Sequence, residues 1–179
     1  MIQVSTKALR ALLPWAAKVD VRHYLKGVHI LSDPTGLRLT ASNGHAITTF
    51  FDPGDHGCLY EGILEPPTIE AALKAAGKVE TLTLDPGLMT LGTVKFTPID
   101  GRYPDIKRAW PKVLDGKPCA LNPALYGLVD KSNKAFGLKG TDIRTFHDSG
   151  CLVWDSGFAR GVIMGLRDGV GDPAKFPTI

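Results

Sequence analysis

Three side chains in this sequence have the types that nucleophilic chemistry uses: His45 as a base, and Ser42 or Cys58 as a nucleophile. Such chemistry needs nucleophile, base and an orienting group brought together, and no known spacing joins these three. Asp33, Asp52 and Asp55 sit in Pro/Gly turns, where an aspartate caps the turn. There is no P-loop and no glycine-rich dinucleotide fingerprint. Cys58, Cys119 and Cys151 are widely spaced, with no CxxC. They read as reduced structural thiols of a cytoplasmic protein, not as a zinc site or a disulfide framework. The sequence therefore predicts no catalysis, no metal and no cofactor, and the chemistry to look for is binding.

His45 lies in the stretch that organises the chain, Thr40-Ala41-Ser42-Asn43-Gly44-His45-Ala46-Ile47. Gly36 to Thr40 alternates apolar and polar residues, as a half-buried strand does. Ala46 to Phe51 reads as a second strand. Asn43-Gly44 between them is a hairpin signal, because both residues tolerate positive φ. Taken alone, this is a tight turn with a solvated histidine at its tip.

The elements that must hold this hairpin can be read in order. The chain has 179 residues, 44% hydrophobic and 22% charged, which makes a soluble globular protein of one ordinary domain or two small ones. No apolar run approaches the roughly 18 residues of a membrane span. No signal peptide is evident at Met1-Ile2-Gln3-Val4-Ser5. The net charge of +3 permits a polyanionic partner without demanding one.

A strand at Ile2 to Val4 is followed by a helix capped by Ser5 and running toward Lys18, with a kink or a break at Pro14. Val28 to Leu31 and the two hairpin strands complete a first unit. A strand at Tyr60 to Leu64 leads into a helix from Thr68 to about Lys78, with Ile69, Ala72, Leu73 and Ala76 as its apolar stripe. Short strands follow at Glu80 to Leu84, Leu88 to Leu91 and Val94 to Thr97. Residues 100–117 form a connector. Asn122-Pro123 starts a third helix, and strands follow at Ile143 to Phe146, Cys151 to Trp154 and Gly161 to Leu166. Residues 168–179 read as a loosely held tail. A strand, a helix and three strands thus recur at 1–51, 57–98 and 118–166. This is an α+β pattern with helices on one side of antiparallel sheets.

Four segments, in this order and spacing, resemble the bacterial DNA sliding clamp, the β subunit of the replicative polymerase. They are Val21-Arg22-His23-Tyr24-Leu25-Lys26-Gly27, then Ser42 to Ile47, then Asp100-Gly101-Arg102-Tyr103-Pro104-Asp105-Ile106-Lys107-Arg108-Ala109-Trp110-Pro111, then Val162-Ile163-Met164-Gly165-Leu166-Arg167. The likeness covers residues 1–167. It implies a clamp domain of two units at 1–111, resembling the middle clamp domain, and a third unit at 118–167, resembling half of the last. Ala46 stands where the family has arginine, and Gly165 where it has proline.

The resemblance also implies a peptide-binding cleft. Its positions are Leu25, Ser42, Gly44, His45, Ala46, Ile47, Pro104, Arg108, Ala109, Val162 and Met164. Leu25, Ile47, Val162 and the adaptable Met164 suit an apolar floor. Gly44 lets a peptide backbone come close, and Arg108 can meet a carbonyl or an acid at the rim. The partners implied are polymerase and clamp-loader peptides.

Clamp helices face non-specific double-stranded DNA. The candidates for that face are Lys7, Arg10, Lys18, Lys74, Lys78, Lys131 and Lys134, with Glu70 and Asp130 diluting the field. The family closes its ring from twelve units, so a chain of three units implies a homo-oligomer, with a tetramer preferred. The alternative is a truncated clamp mimic that sequesters clamp-binding proteins without encircling DNA.

Overall fold

Ser5 ends the first strand and starts the first helix. In the computed structural model, which describes residues 1–117, 119–138, 143–148 and 150–166, β1 (Ile2–Ser5) runs straight into α1 (Thr6–Leu12). The Ser5 hydroxyl accepts the Ala8 N–H at 3.3 Å, satisfying one of the donors that a helix start leaves free. The helix stops well short of Lys18. Pro14 lacks an N–H and crowds the preceding turn, so Leu13–Trp15 tighten into a 3-10 turn and Lys18 falls in the loop beyond.

A meander follows: β2 (Val28–Asp33), β3 (Gly36–Ser42) and β4 (Ala46–Pro53). β5 (Tyr60–Leu64) leads into α2 (Pro66–Ala76), which begins two residues before the expected start because proline is pre-organised for the first turn. Gly77, at φ 66°, ends α2 and leaves Lys78 past the helix. β6 (Thr81–Asp85) and two-residue strands β7 (Thr90–Leu91) and β8 (Val94–Lys95) close the second unit. The third unit is α3 (Pro123–Ala135), capped by the Asn122 side chain, with β9 (Arg144–Asp148), β10 (Cys151–Asp155) and β11 (Ala159–Met164). Among the described residues of the third unit no strand precedes α3, so the strand expected to open that unit is not seen there. The expected tail at 168–179 and Arg167 lie outside the described residues.

The strands sort into two antiparallel sheets, and the first strands of the first two units change places. β1 pairs with β6, giving the order β1-β6-β7-β8. β5 pairs with β2, giving a seven-stranded sheet, β5-β2-β3-β4-β11-β10-β9. Its middle is the β4–β11 pairing, where Ile47 stands opposite Val162 and Phe50 opposite Ala159. That pairing joins the first and third units.

One face of this sheet is buried under the helices. Leu37, Leu39 and Ala41 of β3, Ile30 of β2 and Ile163 of β11 lie in the main core and are inaccessible to solvent. The period of two then sends Arg38, Thr40 and Ser42 to the other face. α1 packs on α3, and Trp15 of the 3-10 turn stacks on Trp154 of β10, with ring centroids 5.5 Å apart. Ser132 of α3 accepts the Trp15 indole N–H at 2.7 Å and donates to the Ala11 carbonyl at 2.8 Å. A buried hydroxyl thus has both of its hydrogen bonds supplied by the facing helical segment.

Candidate functional site

The hairpin turn is shifted by one residue from the expected one. Ser42 pairs with Ile47, so the central residues are Gly44 and His45, not Asn43 and Gly44. Only Gly44 has positive φ, at 84°. Asn43 caps the turn with its side chain: Oδ1 accepts the N–H of His45 at 3.0 Å and of Ala46 at 2.9 Å. The Ser42 hydroxyl donates to the Ala46 carbonyl at 2.9 Å and accepts the Gly44 N–H at 3.1 Å. Serine is therefore a structural part of the turn. Cys58 is far away, its carbonyl bonded to Ser32, which pairs with Leu37 near the other end of β3. Five residues at ~3.4 Å put Leu37 and Ser42 roughly 17 Å apart along the strand. Cys58 is thus not brought to His45, and the Ser42 hydroxyl is engaged within the turn.

The bare face of the seven-stranded sheet is crossed by the connector. Asp105 caps a 3-10 turn, Ile106–Arg108, by accepting the Lys107 N–H at 3.0 Å. Ile106 and Trp110 press onto Ile47, Val153, Cys151 and Val162, a cluster built across the β4–β11 seam. Before the turn, Tyr103 is buried with Leu25, Ala17 and Ile63 and stacks on His29 at 4.8 Å with the rings nearly parallel. Burial pushes the Tyr103 phenol well above its ordinary pKa.

Between the hairpin tip, the connector and the end of β11 lies a cleft of about 450 Å³. All eleven positions named from the four segments line it. Ser42, Gly44, His45, Ala46 and Ile47 form the hairpin wall; Pro104, Arg108 and Ala109 form the connector wall; Leu25, Val162 and Met164 complete it. Leu25 is 2% exposed and Val162 3%, so they are floor and core at once, whereas Met164 is 51% exposed and stands at the mouth.

The cleft also uses residues beyond those eleven positions. Arg22 lies against the turn, where a Cβ on Gly44 would come within 2.3 Å of its Nη2. Its guanidinium is held by Asp20, with Nε–Oδ1 at 2.9 Å and Nη2–Oδ2 at 2.8 Å. These bonds keep the Asp20 carboxyl well below the usual carboxylate range. Tyr103, Ile106, Trp110 and Cys151 line the cleft too. Burial raises the Cys151 thiol, which makes it a poor nucleophile. Trp110 carried a usable signal, a large aromatic in a connector rich in Pro, Gly and charged residues. Arg22 did not, because its role depends on where the hairpin tip comes to rest.

The seven cations are all exposed. Lys7 and Arg10 are on α1, Lys74 on α2, and Lys131 and Lys134 on α3. Lys18 and Lys78 stand in loops, contrary to the expectation that all seven lie on helices, for the reasons given by Pro14 and Gly77. Arg10 donates to the Gly77 carbonyl at 3.3 Å, tying α1 to the end of α2. Lys134 is paired with Asp130 at 2.6 Å. Among the described residues no helix is long and apolar enough to cross a membrane.

No protein-family model matches this chain, and no curated protein sequence does. Solved structures do. The DNA polymerase sliding clamp of Bacillus subtilis matches 94% of this chain over 64% of its own, with a TM-score of 0.70 at 13% identity. The DNA polymerase III β subunit of Thermotoga maritima matches 94% over 66%, with a TM-score of 0.71 at 13% identity. The β sliding clamp of Caulobacter crescentus matches 93% over 66%, with a TM-score of 0.67 at 17% identity. The chain has the fold of the bacterial sliding clamps and spans just under two thirds of their length.

Proposed function

We propose that this chain is a non-enzymatic clamp protein that holds clamp-binding peptides, from a DNA polymerase or a clamp loader, in the cleft at the β4–β11 seam. One observation carries the reading: eleven residues from four separate segments line a single cleft whose floor is apolar and whose mouth is Met164. A short peptide beginning with Gln and ending in Leu or Phe is expected to bind in the micromolar range, about −8 kcal/mol. Met164→Ala tests the cleft, because the side chain is half exposed and its loss leaves the core intact. Unchanged affinity in a calorimetric titration of that variant removes the assignment.

In this reading residues 1–111 act as one clamp domain and the third unit as a half domain. Copies join edge to edge into a ring around double-stranded DNA, and the seven cations meet phosphates without reading bases. Four copies of three units restore the twelve of the clamp ring. A second reading, a clamp mimic that binds the same peptides without encircling DNA, draws support from β9. That strand is a sheet edge, and the Gly116 N–H already donates to its His147 carbonyl at 3.1 Å, which blunts it for pairing with another copy. Light scattering separates the two: a mass near one 19.2 kDa chain across a dilution series rejects the ring and leaves the mimic.

A further inference from the structure

Asp148 ends β9, where the chain turns back toward β10, and its carboxylate is not used as turn aspartates elsewhere in this chain are. Asp33, Asp85 and Asp155 each accept the backbone N–H two residues on, at 2.7 to 2.9 Å. Among the described residues Asp148 accepts no backbone N–H and forms no ion pair. Its hydrogen-bond contact there is the Cys151 thiol, with Sγ and Oδ2 3.9 Å apart. Strand register brings this carboxylate into the cleft. Cys151 stands opposite Asp148 on one side and Met164 on the other, and the Met164 N–H donates to the His45 carbonyl at 2.9 Å. Side chains of directly paired residues share a face. His45, Met164, Cys151 and Asp148 thus form one row across the end of the sheet, and all four line the cleft. With strands ~4.8 Å apart, Asp148 lies roughly 10 Å beyond Met164.

The charges of the cleft do not cancel. Its lining carries Arg22, Arg108, Asp105 and Asp148. Asp20 neutralises Arg22, and Asp105 keeps its charge while capping the turn that holds Arg108, so these four groups balance. Asp148 is left over, at the opposite end of the row from His45. The Cys151 thiol beside it supplies no counter-charge: burial first, and then the Asp148 carboxylate, raise its pKa and keep it protonated. We propose that Asp148 is the cation-binding end of the cleft: a peptide that seats an apolar residue at Met164 carries a Lys or Arg that meets this carboxylate. The inference rests on the cleft reading and adds the charge of the partner to its apolar end. Three residues of extended chain span roughly 10 Å, so the cation falls within about three residues of the one at Met164.

Synthetic peptides with the same cleft-binding core, Gln first and Leu or Phe last, test this. They carry Lys, acetyl-lysine or Glu beside the core, at either end in separate sets. Acetyl-lysine keeps the stem and removes the charge. A partly exposed pair is worth roughly a threefold to fivefold gain in affinity at low salt. In one of the two sets Lys is expected to bind tighter than acetyl-lysine by that factor, and Glu no tighter. The preference for Lys is expected to vanish in Asp148→Asn and to persist in Asp148→Glu. Equal affinities of the Lys and acetyl-lysine peptides in both sets, or a Lys preference that survives in Asp148→Asn, overturn the proposal and leave the cleft standing. Tighter binding of Glu than of Lys in both sets gives the flanking contacts to Arg108 and overturns it too. Failure of every peptide to bind the wild type overturns the cleft reading, and this inference with it.

Discussion

Gly161 lies so close to Trp154 that a Cβ on it would come within 2.3 Å of the indole Nε1 and 2.5 Å of the Ile47 carbonyl oxygen. Gly161 faces Thr48 on one neighbouring strand and Trp154 on the other. The seam that carries the cleft therefore closes only because this residue has no side chain. Gly161→Ala is expected to lower stability by about 1–3 kcal/mol, the usual cost of overfilling a tight interior. Peptide binding should fall with it, because Val162 is the next residue on the strand. Urea denaturation of the variant checks the first expectation, and wild-type stability would show that β11 can move aside.

Ser132 is expected to matter more than its size implies. Its hydroxyl satisfies both the Trp15 N–H and the Ala11 carbonyl in a site closed to water. Ser132→Ala leaves both unpaired and should cost about 1–3 kcal/mol. The comparison to make is with Ser5→Ala, where a helix cap is lost and about 1 kcal/mol is expected. An equal or smaller loss at Ser132 would mean that the α1–α3 contact relaxes to pair these groups elsewhere.

Stability should fall on mild acidification because of His29. Burial lowers its pKa in the folded protein from the ordinary 6.5, a shift that the Glu61 carboxylate only partly opposes and the nearby Arg38 reinforces. Below pH 6.5 the unfolded imidazole takes up a proton while the folded one still resists. The unfolded state then binds more protons, and stability declines as pH falls through that window. Above it, this group contributes no slope. Asp20 does not interfere, since its carboxyl titrates far lower. Melting temperatures of wild type and His29→Gln between pH 7.5 and 5 should show a shallower decline in the variant, and parallel curves would rule out His29 as the source.

Charge reversal tests the DNA-facing proposal. Lys74, Lys78 and Lys131 are exposed cations without an ion pair among the described residues. Changing all three to Glu should abolish retention on closed circular DNA, and the wild-type interaction should weaken steeply with salt and ignore base sequence. Retention that survives the triple change would mean that these side chains do not meet DNA.

Local patterning accounts for what the sequence by itself determined. The alternation in Gly36 to Thr40 marks which residues face the core, and the cap at Asn122 with Pro123 marks where α3 begins. These are short-range effects of side-chain period and backbone donors, and they act wherever the strand or helix finally sits. The eleven cleft positions were named from four short segments because their order and spacing match a known pattern.

What only the tertiary structure decided depends on contacts between residues far apart in the chain. Nothing local tells β1 to pair with β6 and β5 with β2, and nothing local brings β11 against β4. The same holds for the connector, whose Pro- and Gly-rich sequence reads as a linker. Ile106 and Trp110 make it a wall by packing on a cluster drawn from β4, β10 and β11. The turn at Gly44-His45 was misplaced by one residue because strand register is set by pairing across the sheet as well as by the turn dipeptide. The enclosed space of the cleft exists only where the connector comes to rest on the sheet.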